Sequence, residues 1–424
     1  MTQFKKYRLR ELCTKIGSGA TPRGGDASYK SHGISLIRSQ NILDFTFSND
    51  GLAYIDDYQA KELDNVEIQE RDVLLNITGD SVARVCQVLS GILPARVNQH
   101  VAILRANKEI LNPEYLKYSL LSKKNKENFL SLASTGATRK ALTKGMIEDF
   151  EIDIPDEDGT DTQTRIASIL SSLDDKIELN RRTNHTLEQI AQTLFKKYFV
   201  DDIDPENLPE GWKYETLRKH IKIKNGFAFK GIDFIENGVP VLKIKNVKAG
   251  KILLETLSYV SKKVAETAKG YQVKKNDLLV TMTGNRLDGS PETWVGKIAL
   301  FHKDGEYLLN QRVSIMNVLN DDVMSRYFLC QLLTTEEMQY YYASHATSSG
   351  GQANISPDLI YDTEVLVPPQ NVMKLFNSVT KELYDKMFAN ETEIESLRKI
   401  RDSLLPKLMS GEIEVNAAEK ELVN

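Results

Sequence analysis

The sequence predicts a mixed α+β protein built twice: two similar globules with small mixed sheets, each followed by a long helix, the copies related by a pseudo-twofold. Three observations predict it. Gly33-Ile-Ser-Leu-Ile-Arg-Ser-Gln-Asn-Ile42 is answered by Gly238-Val-Pro-Val-Leu-Lys-Ile-Lys-Asn-Val247, and Asp72-Val-Leu-Leu-Asn-Ile-Thr-Gly79 by Asp277-Leu-Leu-Val-Thr-Met-Thr-Gly284; 238 − 33 and 277 − 72 are both 205, so the register is kept. Val97-Asn-Gln-His-Val101 is answered by Leu309-Asn-Gln-Arg-Val313 and 142–155 by 355–368, offsets of 212 and 213 that place insertions of the second copy chiefly around 285–294. After each globule, apolar residues step by four and three: Ile166, Leu170, Leu173, Ile177, Leu187, Ala191 and Leu194 in one stretch, Phe376, Val379, Leu383, Met387, Ile394, Leu397 and Leu404 in the other.

Within the first globule, short apolar runs bounded by Gly, Asn and Asp predict strands at 35–37, 73–77, 101–104 and 150–154, with a helix over 113–133 between the last two. The second repeats this with strands at 241–244, 278–282, 313–316 and 363–367 and a helix over 321–342. Gly17-Ser-Gly19 reads as a turn. The long helices are expected over about 163–199 and 372–408, each about 55 Å at 1.5 Å per residue. A helix of that length with an apolar stripe needs a partner, and its own repeat is the nearest one. Asn180 and Asn390 fall at equivalent seam positions, where an amide fixes register. The expected division is a globule 1–155, a helical spacer 156–205, a globule 206–369, a second spacer 370–415 and a tail 416–424.

Composition restricts the function. The N-terminus lacks the apolar stretch of a signal peptide and no window is long and apolar enough to span a membrane, so the expected location is cytoplasmic. Three isolated cysteines support neither a disulfide framework nor a zinc knuckle. With 55 Lys plus Arg against 59 Asp plus Glu, a nucleic-acid ligand requires locally concentrated basic groups and phosphate contacts from a partner. The acidic residues crowd 153–161, 201–206 and the C-terminal tail, which read as linkers, and the Asp56-Asp57 and Asp174-Asp175 pairs read as solvated surface. Phosphate-binding loop, nucleophile elbow and metal-helix motifs are absent, and His100 is replaced by Arg312 in the other copy, so an enzyme is disfavoured.

Polar residues on loops beside strands, present twice, remain. Arg, Asn and Gln make two-point contacts with base edges, while Lys, Ser and Thr hold phosphates. In the first copy the candidates are Arg23, Arg38, Ser39, Gln40, Asn41, Thr78, Asn98, Gln99, Thr138, Arg139 and Lys140, with Arg96 among the polar stretches. In the second they are Lys230, Lys243, Lys245, Asn246, Asn285, Arg286, Asn310, Gln311, Arg312, Ser348, Gln352 and Asn354. For Asn41 and Asn246 a turn-capping role stands beside base contact, and for the Asn98-Gln99 and Asn310-Gln311 pairs a role in orienting loops does. No metal site is expected.

The stretch from Ile166 through Leu173-Asp-Asp-Lys-Ile-Glu-Leu-Asn-Arg-Arg-Thr-Asn184 to Phe195-Lys-Lys-Tyr-Phe-Val-Asp201, with Leu208-Pro-Glu-Gly-Trp212 opening the second globule and Gly19-Ala-Thr-Pro-Arg23 in the first, resembles the specificity subunit of type I restriction-modification systems. The resemblance spans about residues 5 to 415; the first globule departs from it in having no Leu-Pro-x-Gly-Trp opening. It implies that each globule is a target-recognition domain reading one half of a bipartite, asymmetric DNA site, and that the helices pack antiparallel as a spacer. It implies no active site and no cofactor in this chain, S-adenosylmethionine being held by two modification (methyltransferase) subunits through which restriction subunits join. The alternative is a coiled-coil scaffold with two protein-binding lobes and no DNA contact.

Overall fold

The structure, a computed structural model, describes residues 3–88, 90–134, 140–156, 160–201, 203–349 and 351–423. It resolves into two compact units, one of residues 1–179 with 393–424 and one of residues 180–392. Each unit therefore holds one half of each long helix.

In the first unit the strands Cys13–Ser18, Val101–Ala106, Val73–Asn76 and Val85–Gln87 form an antiparallel sheet in that spatial order. Both faces of this sheet are covered, which explains apolar runs without polar alternation: Val73, Leu75, Ala102 and Leu104 face one core, Leu74, Val101 and Ile103 the other. Ile34–Ile37 lies between Ala53–Ile55, antiparallel, and Ala95–Val97, parallel, beneath the second core. Phe4–Arg8 pairs with Glu151–Pro155, closing the globule at its chain ends.

The second unit repeats the plan. Ile221–Asn225, Val313–Val318, Leu278–Thr281 and Ile298–Leu300 form the equivalent sheet, again two-faced, with Leu278 and Val280 on one side and Leu279 on the other. Val239–Leu242 lies between Ser258–Val260 and Tyr307–Leu309, and Lys213–Thr216 pairs with Glu364–Val367.

Several expectations change. Gly17 and Ser18 end a strand instead of making a turn. Each predicted mid-globule helix is two helices, Pro113–Leu121 with Lys123–Ala133 and Arg326–Leu333 with Glu336–His345, because Ser122 and Thr335 accept the amide protons of Asn125 and Met338 and start a new turn. The residues read as a tail form a helix, Val415–Val423, whose Ala418 is fully buried in the first unit's core and whose Glu419 pairs with Arg165 at 2.8 Å. Val379, expected in the helix seam, is 43% exposed; the buried stripe is Met373, Phe376, Thr380, Tyr384 and Phe388, turned toward the globule.

The long helices run Thr160–Phe199 and Gln370–Ser410 and pack antiparallel within each unit. In the first unit Ile166, Leu170 and Leu173 share a core with Leu404, Leu405 and Leu408, and Lys176 pairs with Glu393 at 3.4 Å. In the second, Phe199 meets Phe376 edge-on at 4.8 Å, and the Asn390 amide donates to Asn184 Oδ1 at 2.8 Å. The amide pair in the seam is thus Asn390 with Asn184; Asn180 is buried one turn away. Asp174 is not solvated surface. Its carboxylate accepts from Arg401 Nη1 at 2.7 Å and from the buried Tyr118 hydroxyl at 2.6 Å, with Lys117 at 3.7 Å. Burial, its largest influence, holds the Lys117 ammonium below its ordinary range, and Asp174 opposes that shift.

Candidate nucleic-acid interface

The candidate residues separate into those the fold uses for itself and those it presents. Asn41 and Asn246 are fully buried. Asn41 Oδ1 accepts the Arg38 amide while its Nδ2 donates to the Ser48 and Asp50 carbonyls; Asn246 accepts the Lys243 amide and donates to the Leu253 carbonyl. Both hold a turn closed and neither can reach a base. Asn98 is buried with Oδ1 accepting the His100 amide, and Asn310, half-buried, serves the Arg312 amide in the same way. Arg96 is 5% exposed and held by Asp64 and Glu67, so it belongs to the core and not to a surface.

Gly19 and Gly226 bring the first sheet strand against this Asn turn. A Cβ at either would run into the backbone carbonyls of residues 97–98 or 309–310, so only glycine allows the approach. The turn is thereby pinned, and Gln99 and His100, or Gln311 and Arg312, emerge from it.

In the first unit Thr78 Oγ1 lies 2.7 Å from His100 Nδ1, and Gln99 Nε2 lies 3.3 Å from His100 Nε2. With the amide donating to Nε2, Nδ1 carries the ring proton and donates to Thr78. The Lys140 carbonyl accepts from the Gly79 amide at 3.0 Å, which sets the backbone of the exposed Lys140 against the residue that follows Thr78 in the chain. Thr138 and Arg139 lie outside the described residues.

In the second unit Thr283–Gly284, Gln352–Asn354 and Thr347–Ser349 form a small sheet that gathers the matching positions. Thr283 Oγ1 donates to Asn354 Oδ1 at 2.9 Å, Arg312 Nη1 to Gln352 Oε1 at 2.8 Å, and Arg286 Nη1 to Ser348 Oγ at 3.2 Å. Asn285 Nδ2 donates to Thr293 Oγ1 at 2.9 Å, bracing the inserted loop. Arg286, Arg312, Ser348 and Gln352 are exposed.

A second repeated feature flanks each cluster. The Arg38 guanidinium lies 5.3 Å from the Tyr29 ring, and the Lys243 ammonium 3.3 Å from the Phe234 ring. Arg38 and Gln40 also donate to the Gly51 carbonyl, at 2.6 and 3.1 Å. Desolvation, reinforced by Lys245, holds the Lys243 ammonium below its ordinary value. Half-buried Ser39 lends its carbonyl to the Asn76 amide, while Arg23, Lys230 and Lys245 stand exposed away from these contacts.

Sequence reasoning missed Tyr29, Phe234, His100 and Trp294. The first two sit 205 positions apart like the rest of the repeat, as 234 − 29 shows. His100 occupies the place of Arg312, a signal used only against catalysis. Trp294, with its indole donating to the Gly289 carbonyl at 2.8 Å and the Lys297 ammonium 5.8 Å from its ring, belongs to the insertion and has no counterpart to betray it.

The family described as "Type I restriction modification DNA specificity domain" matches residues 1–189 and again 209–399. The chain belongs to this family. It is 26% identical over 430 residues to the type I restriction enzyme MjaIX specificity subunit of Methanocaldococcus jannaschii, covering 95% of this chain and 91% of that one. It is 24% identical over 485 residues to the HindI specificity subunit of Haemophilus influenzae, covering 97% and 100%. The crystal structure of a type I restriction-modification system S subunit from M. genitalium shares the fold, with a TM-score of 0.60 at 16% identity over 96% of both chains. No helix among the described residues of this specificity chain is long and apolar enough to cross a membrane.

Proposed function

We propose that each unit reads one half of a bipartite, asymmetric DNA site, as the recognition component of a type I restriction-modification complex. One observation carries this reading: the pinned Asn turn and the adjoining Thr are the same in both units, whereas the side chains they present differ, His100 with Lys140 in one and Arg312 with Gln352 and Asn354 in the other. A common frame carrying different hydrogen-bonding groups suits one domain type that reads two different half-sites. Arg312 and Gln352 are exposed side chains of the types that make two-point contacts with guanine and adenine edges, while Lys243, Lys245 and Lys230 suit phosphates.

Arg312→Ala and Gln352→Ala are each expected to weaken binding by about 1–3 kcal/mol, with relaxed discrimination confined to one half-site. Binding assays on duplexes mutated in one half or the other check this. Equal loss on both halves and on random DNA would assign the two residues to phosphate or to the fold.

A net charge of −4 leaves much of the phosphate neutralisation to partners. On this reading the chain itself supplies recognition, while two modification subunits bind S-adenosylmethionine and transfer the methyl group, and restriction subunits join through them. Ile190 and Ile400, equivalent in the repeat, are 41% and 42% exposed on the long helices and give one apolar contact in each unit. Ile190→Asp and Ile400→Asp are each expected to weaken capture of one modification subunit by about tenfold or more, and the double variant both. Native mass spectrometry of the assembled complex counts the subunits retained; a full complement at dissociation-limited concentrations in the double variant rules these contacts out.

A further inference from the structure

The two units differ where a turn of each globule packs beside the long helices. In the first, the turn that Asn41 closes carries Phe45 in the left-handed region, φ 69°, with its amide donating to the Val85 carbonyl at 3.1 Å. A phenylalanine rarely adopts that conformation. Its ring lies 3.4 Å from the guanidinium carbon of Arg401, which Asp174 binds from one side. The matching turn of the second unit has Gly250 at φ 71°, its amide donating to the Ile298 carbonyl at 2.8 Å. Aligned on the same repeat, Ala191 stands for Arg401, Tyr384 for Asp174 and Cys330 for Tyr118. The aromatic ring and the guanidinium are both gone.

A cavity of about 580 Å³ is found there, lined among others by Gly250, Glu188, Tyr384, Phe388, Cys330 and Glu391. Its size is that of a small-molecule or side-chain pocket. A Cβ on Gly250 would meet only Glu188 Oε1, at 3.8 Å. The Glu188 carboxylate has no ion-pair or hydrogen-bond partner among the described residues, and that of Glu391 receives only the Asn184 amide at 3.0 Å. His302 stacks on Phe388 at 5.7 Å, giving the wall flat faces. Arg181 and the exposed Lys251 also line the space, so it is not a general cation trap. What it offers is two carboxylates beside aromatic planes, the surroundings a planar cation requires.

We propose that this cavity receives the guanidinium of an arginine side chain supplied by a partner protein, the same group that the first unit supplies from its own chain. A protein source is favoured because the lining includes the exposed His185 on the long helix, whose surface continues to the exposed Ile190. The site is independent of DNA reading, and its test involves no DNA.

The full-length chain is titrated with the amides of N-acetyl-arginine, N-acetyl-lysine and N-acetyl-norleucine, followed by ligand-observed NMR. Only the arginine derivative should bind. Gly250→Phe, which rebuilds the ring of Phe45 in a backbone conformation that Phe45 already tolerates, should abolish binding, and Glu188→Gln should weaken it about tenfold. Equal binding of the three derivatives, or arginine binding unchanged in Glu188→Gln, overturns the assignment; the second result does so even where Gly250→Phe fails to fold. Glu188→Gln should also weaken association with the modification subunit severalfold. Loss of the small probe with unchanged association would overturn the protein source.

Discussion

Asp174→Ala is expected to destabilise the first unit by about 3–5 kcal/mol, because it takes the nearest carboxylate from the buried Lys117 ammonium and the acceptor from the Tyr118 hydroxyl, and leaves Arg401 with Asp402 alone. Arg401 is 7% exposed, Lys117 7% and Tyr118 fully buried, so water cannot take over the lost bonds. The magnitude comes from stranding charge and not from the worth of the ion pair, which replacement by apolar groups would nearly conserve. At the place of Asp174 the second unit has the neutral Tyr384, whose hydroxyl accepts from Gln331 Nε2 at 2.9 Å. Tyr384→Phe should therefore cost only about 1–3 kcal/mol. Chemical denaturation of the full chain, with a probe in each unit, checks both: the Asp174 variant should bring the first unit's transition forward while the second stays in place. Coincident shifts of equal size in both transitions would mean that the units unfold together and the cluster is not local.

Adding four residues to both long helices, after Leu179 and after Thr392 where the compact units meet in sequence, is expected to lengthen the gap between the two methylated half-sites by about one or two base pairs. Four residues add roughly 6 Å and little more than one turn, against about 3.4 Å per base pair of duplex. The antiparallel packing explains why both helices must change. Inserting in one alone would carry Asn184 or Asn390 out of register with its partner and set apolar residues against the wrong neighbours. The bases read within each half should stay the same, since no loop of either unit is altered. Methylation mapping of DNA carrying all gap lengths decides the matter, and an unchanged gap in a folded variant removes the helices as the ruler.

Much of the fold was legible in the sequence. The 205-residue offset announced two copies, and the short runs around Val73 and Leu278 marked the central strands of both sheets. The four-three spacing located the long helices within three residues at either end, because periodicity is a local property of the chain. The helix break at Ser122 was less visible: a cap and a mid-helix serine look alike until the backbone shows which bond the hydroxyl completes.

Function at the level of family was also present, in the helical stretch after Ile166 and in the repeated loops. The candidate interface was only partly so. Asn41 and Gln352 have equal standing as polar loop residues, yet one is enclosed by Ser48 and Asp50 while the other meets Arg312 at the surface. Which amide is spent on a turn depends on neighbours distant in sequence, and burial is set by the whole core.

The sequence by itself determined the duplication, the strand and helix periods and the family, since each is written in residue order and spacing. Tertiary structure alone decided that Asp174 lies in a buried charge cluster, that 415–423 docks as a helix through Ala418, and that the space filled by Phe45 and Arg401 in one unit stands open beside Gly250 in the other. These depend on which segments far apart in the chain become neighbours, and hence on whether a polar group meets water, a partner or a void.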